Sequence, residues 1–126
     1  MKPRTRPVHL DLFRIRLPLP GWVSILHRAS GVLLFLALPL GVAILSVSLT
    51  SEAAYWAILA TAQHPLAKLL AVLLIWAFSH HWFAGLRHLA MDAHLGLSLR
   101  RARASALATL AASALTMLAF AVWVFA

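Results

Sequence analysis

The sequence predicts an all-α integral membrane protein with three transmembrane helices. Of its 126 residues, 63% are hydrophobic and only 11% charged, against about 45–50% and about 25% in a soluble domain. Residues 29–51, 69–86 and 104–126 contain no Asp, Glu, Lys or Arg, and about 20 apolar residues suffice for a helix to cross the hydrocarbon core. The basic residues gather beside particular ends of those stretches. Three spans nearly exhaust the chain, giving one membrane domain over 22–126 behind a short segment over 1–21.

Within that leading segment Pro3, Pro7, Pro18, Pro20 and Gly21 disfavour a continuous helix. It reads as an extended stretch on the inner membrane surface. Trp22 stands where interfacial aromatics are enriched. The first span covers about 24–48 and contains Pro39, a kink that membrane helices tolerate. A loop with Tyr55 and Trp56 leads to His64, and Pro65 suits the first turn of a second span over about 66–91. Gly96 and the basic residues 100–103 form the second loop, and the third span covers about 104–125.

The charge pattern orients these spans. Eleven Lys and Arg face three acids, for a net charge of +8. On a soluble protein that would suggest nucleic acid; here most of the basic residues flank spans, which excludes that partner. Cytoplasmic loops of membrane proteins are enriched in Lys and Arg. Lys2, Arg4, Arg6, Arg14 and Arg16 precede the first span and Arg100, Arg101 and Arg103 follow the second, whereas the loop between them holds Glu52 with Lys68 at its edge. The N-terminus is therefore expected in the cytoplasm and the C-terminus on the opposite, periplasmic side. The first apolar run is too long and too far from the start for a cleavable signal peptide. With no cysteine, disulfides, thiolate metal sites and thioether-attached haem are excluded.

Ionisable residues at membrane depth are costly and usually face a site or a partner, so they are the informative positions. In the second span His81, Gly85, His88 and Asp92 recur at spacings of four, three and four, a single stripe down one helix face. His80 and Arg87 share a different face. His81 lies about 16 Å along the helix from Asp92, well inside the inner leaflet. Gly85, one turn from His81, is open to two readings: it leaves room for a broad group such as a porphyrin edge, or it permits close helix packing. Ser24, His27, Arg28 and Gly31 form a similar stripe in the first span. Arg28 and His27 can bind an anionic group or hydrogen-bond a quinone carbonyl; equally, Arg28 can snorkel to the headgroups. His64 reads as a loop residue, His9 and His94 as interfacial, and Asp92 as a cap or ion-pair at the helix end. Trp22, Trp56 and Trp123 read as interface anchors. No nucleophile–base pair, phosphate loop, paired carboxylates or His-Glu-x-x-His sequence occurs, which excludes a standalone hydrolase.

Three segments together resemble a known family: Arg6-Pro7-Val8-His9-Leu10-Asp11-Leu12, Ser24-Ile25-Leu26-His27-Arg28-Ala29-Ser30-Gly31, and His81-Trp82-Phe83-Ala84-Gly85-Leu86-Arg87-His88-Leu89-Ala90-Met91-Asp92. In order, span placement and chain length they are similar to the cytochrome b membrane-anchor subunit of succinate dehydrogenase, and the resemblance covers essentially the whole chain. It implies half of a two-subunit haem-binding helical bundle, formed with a second membrane-anchor subunit that holds an iron–sulfur subunit and a flavoprotein subunit at the inner face. It also implies His81 as an axial ligand of haem b, the opposite ligand coming from the partner anchor. His27, Arg28 and His88 would surround the propionates, Gly31 and Gly85 would pack the haem, and Ser24 with Arg28 would line the ubiquinone site. His80, adjacent to His81, is a conceivable ligand lying about 100° off the stripe. The family also includes anchors of fumarate reductases, which run in reverse, and haem-poor members. A haem-free assembly protein whose polar residues only join helices is the alternative of a different class. A bacterial inner membrane is the expected location.

Overall fold

The computed structural model describes residues 17–126. The expected extended segment before residue 17, with the Arg6–Leu12 motif and His9, lies outside the described residues. The described chain is four α-helices: α1 Leu19–Ser48, α2 Glu52–Ala62, α3 Pro65–Asp92 and α4 Leu99–Phe125. Of these, α1, α3 and α4 are long and apolar enough to cross a membrane. At 1.5 Å per residue they measure about 45, 42 and 40 Å, against about 30 Å of hydrocarbon.

Three boundaries differ from those read in the sequence. The first helix starts at Leu19, before Trp22 and Ser24, with Pro18 as N-cap and Pro20 in the first turn. A first-turn proline gives up an N–H that has no intrahelical acceptor anyway, and its fixed φ suits the helix. The expected loop around Tyr55 and Trp56 is largely the helix α2. Ser51 caps it by accepting from the Ala54 N–H at 3.1 Å, and Trp56 Nε1 donates to Glu52 at 3.2 Å. Finally, α4 begins at Leu99, so Arg100, Arg101 and Arg103 stand in its first turns and not in a loop. Cations there oppose the helix dipole, a cost that anionic headgroups can offset.

The second span starts where Pro65 predicts, with His64 as N-cap accepting from the Leu66 N–H through Nδ1 at 3.2 Å. Its end is made by backbone. His94 takes a left-handed φ of 61°, its N–H reaches the Met91 carbonyl at 2.9 Å, and the Leu95 N–H reaches the Ala90 carbonyl at 2.9 Å. That pair of bonds is the Schellman closure of a helix. Asp92, expected to cap or ion-pair, is the exposed last residue of α3, and its side chain makes no hydrogen bond among the described residues.

Large apolar side chains point outward along every span; Phe35 is 76% exposed and Trp123 74%. Such a surface suits lipid. The sealed interior is small and rich in polar groups. Val23 of α1, Ala84 of α3 and Ala106 of α4 meet at one junction. Arg87 and His80 of α3 are buried against α4 on either side of it along the helix. The most extensive packing is between α3 and α4, where Ala102, Ala106 and Thr109 keep the α4 face small enough for close approach.

Candidate functional site

The two polar stripes meet between antiparallel α1 and α3, toward the end of the bundle that carries Arg28 and the α4 arginines. The His27 and His81 rings stack with centroids 4.2 Å apart and an interplanar angle of 14°, and His88 lies 5.2 Å from His27, tilted by 55°. His81 Nδ1 is 3.1 Å from the His27 carbonyl oxygen and 3.4 Å from Ser30 Oγ. Ser30 Oγ donates to that same carbonyl at 2.9 Å. A carbonyl only accepts, so the proton of a neutral His81 sits on Nδ1 and the lone pair on Nε2. Nε2 makes no hydrogen bond among the described residues, and the ring is half-buried, neither sealed nor free. An imidazole with its distal nitrogen fixed by a backbone carbonyl is the arrangement that orients a metal-binding histidine.

Gly31 makes this geometry possible. A Cβ there would stand 3.0 Å from His81 Cε1 and 3.3 Å from Nδ1, closer than a methyl group tolerates without displacing the ring. Gly85 is different: a Cβ there would meet only His27 Nε2, at an ordinary 3.6 Å. Close helix packing therefore explains Gly31 and leaves Gly85 unexplained within this chain.

The structure brings together His27, His81 and His88 with Gly31 and Gly85. Ser24 is half-buried one turn from His27, whereas Arg28 beside it is exposed; neither makes a hydrogen bond to the three histidines. His80 is turned away. It is fully buried, with Nδ1 3.3 Å from Ser113 Oγ of α4 and its ring stacked on Trp76 at 5.7 Å, and it does not join the His27–His81–His88 group. Arg87 is buried too, donating through Nε to Ser105 Oγ at 3.0 Å and through Nη2 to the Ala102 carbonyl at 3.4 Å. Sequence reasoning gives Ser30 no role. Its signal is its place three residues after His27, where a helical serine bonds back to the i−3 carbonyl. Among the described residues no group of three or more His, Cys, Asp or Glu could hold a metal ion alone.

Comparison with known proteins agrees along the chain. The model of the family described as succinate dehydrogenase/fumarate reductase transmembrane subunit matches residues 2–120. The chain is 34% identical over 121 residues to the succinate dehydrogenase cytochrome b556 subunit of Coxiella burnetii, covering 95% of this chain and 97% of that one. It is 33% identical over 122 residues to the subunit of the same name from Paracoccus denitrificans, covering 94% of each.

Proposed function

Because the chain belongs to the succinate dehydrogenase/fumarate reductase transmembrane subunit family, we propose that it is the cytochrome b anchor of a succinate dehydrogenase. In this reading it binds haem b together with a second membrane-anchor subunit, contributes to the ubiquinone-reduction site, and holds the iron–sulfur and flavoprotein subunits against the membrane. The single observation that carries the reading is His81, with Nδ1 bonded to the His27 carbonyl and the Nε2 lone pair left available on a half-buried face.

The residues fit a haem. The porphyrin brings four nitrogens, so one imidazole from this chain is enough. Gly85, one turn from His81, leaves a gap that nothing in this chain requires. His27 and His88 stand beside His81 as hydrogen-bond donors to propionates, and Arg28 on the same stretch can pair bidentately with a carboxylate. When bound, a haem held by His81 and by the partner anchor would supply reversible one-electron chemistry. This chain's own part is to fix the imidazole tautomer, exclude bulk from the Gly31 contact and hold polar donors at one depth. Ser24 and Arg28 serve the quinone: hydroxyl and guanidinium donate to a carbonyl that gains negative charge as electrons arrive from succinate through the flavoprotein and iron–sulfur subunits. Two protons complete the quinol, taken from water at the adjacent membrane surface. Positive charge on that surface makes it the cytoplasmic one, with the C-terminus periplasmic and the protein in a bacterial inner membrane.

The test is purification of the tagged chain in mild detergent. The flavoprotein and iron–sulfur subunits should accompany it, with succinate-dependent ubiquinone reduction. Ser24→Ala and Arg28→Lys should each raise the KM for ubiquinone, by about 5- to 20-fold for one lost hydrogen bond. Succinate oxidation with a soluble dye acceptor should be unchanged. Purification without a flavoprotein would overturn the reading, and an unchanged quinone KM in both variants would remove this chain from the quinone site.

A further inference from the structure

His80 and Arg87 take no part in the site just described, yet both are buried polar residues of α3 and both are tied to α4. Arg87 bonds to Ser105 and to the Ala102 carbonyl, and His80 bonds to Ser113. The two contacts are seven residues apart on α3 and eight apart on α4, as antiparallel helices require. They lie about 10 Å apart along the axis, with the Ala84–Ala106 apolar contact between them. His80 Nε2 is the only buried side-chain polar atom without a well-formed hydrogen bond among the described residues, and the ring lies close to the Val23 backbone of α1. An apolar side chain would leave no nitrogen unpaired, so filling space alone does not account for an imidazole here.

The need lies in the rotation of α3. The outer half of the helix, residues 69–78, is apolar around its whole circumference, so burial in lipid does not fix the angle of that half about its own axis. Directional hydrogen bonds do. His80 and His81 are consecutive and therefore point about 100° apart; a helix that holds His80 on Ser113 must present His81 to α1. Arg87 and His88 repeat the relation two turns on. Resting on the reading of His81 as the haem ligand, we propose that His80–Ser113 and Arg87–Ser105 form a rotational clamp, and that His80 and Ser113 are positioning residues setting the ring plane of His81 at the iron.

The readout is the low-spin haem in the whole purified complex: its highest g-value by electron paramagnetic resonance, which follows the angle between the axial imidazole planes, and its midpoint potential. Ser113→Ala and His80→Phe should both shift the g-value in the same direction with haem content retained. The double variant should move it no further than the larger single shift, because both remove one interaction. Ser113→Thr, which keeps the hydroxyl, should restore the native signal. Thr116→Ala, whose exposed hydroxyl only bonds back to Ala112, should leave it unmoved. A native g-value and potential in Ser113→Ala overturns the clamp, as do additive shifts. Should His80→Phe fail to assemble, the single-hydroxyl deletion at Ser113 decides. His81→Ala is measured alongside: retained haem there overturns the ligand reading, whereas lost haem with an unmoved Ser113→Ala signal overturns the clamp alone.

Discussion

His81→Ala is expected to empty the complex of haem while leaving the complex assembled. The ring is half-buried, and alanine is the best helix former, so α3 itself loses little. The His27 carbonyl that His81 engages keeps the Ser30 hydroxyl as a donor, so no buried acceptor is stranded. What disappears is the Nε2 lone pair of His81. Even losing a residue that only orients a ligand costs about 10- to 100-fold in metal affinity, and loss of the ligand should exceed that. Haem per flavin should therefore fall at least about tenfold, read by pyridine haemochromogen against flavin content. Imidazole in the buffer should restore part of the signal, since the truncated side chain leaves a gap of its shape. Full haem content in His81→Ala would remove the assignment.

Second in size is the glycine pair. Gly31→Val places a branched side chain where even a Cβ would stand 3.0 Å from the His81 ring. Overpacking of this kind costs about 1–3 kcal/mol, which converts to roughly 5- to 150-fold in haem affinity. Gly31→Ala should produce a smaller shift in the same direction. Gly41→Val, on the same helix at a position where a Cβ would meet nothing within 4 Å, should change nothing. Gly85→Ala separates two explanations of that residue. In this chain alone the added methyl makes an ordinary contact with His27, so helix packing predicts no effect. A haem edge against Gly85 predicts loss of haem with α1 and α3 still packed. Equal haem retention in all four variants would show that neither glycine borders the haem.

Much of this is legible in the sequence because lipid imposes a coarse rule. Charge-free stretches of the right length are α1, α3 and α4, and the spacing of His81, Gly85 and His88 places them on one face. Elements outside that rule are harder to read. Prolines 18 and 20 look like helix breakers, although proline in a first turn breaks nothing. Ser51 is a good N-cap before an alanine-rich run, but a short segment between two spans looks like a loop. The basic residues 100–103 look like a loop because cations at a helix start are unfavourable in water. The split of the adjacent histidines is visible as a 100° rotation, but which of them faces α1 depends on α4. Serines 105 and 113 carry that information, and without the α3–α4 register they are two small residues among many. Ser30 stands within a motif, yet its bond to the His27 carbonyl and its approach to His81 need α1 and α3 side by side.

The central claim is that this chain presents one imidazole to a haem in an assembled respiratory complex. A dithionite-reduced minus oxidised visible spectrum of the affinity-purified complex tests it most directly. A sharp b-type α-band is expected from a preparation that contains the flavoprotein and iron–sulfur subunits. A flat difference spectrum from that same complete preparation would contradict it, and would leave His81 as a residue that joins α3 to α1.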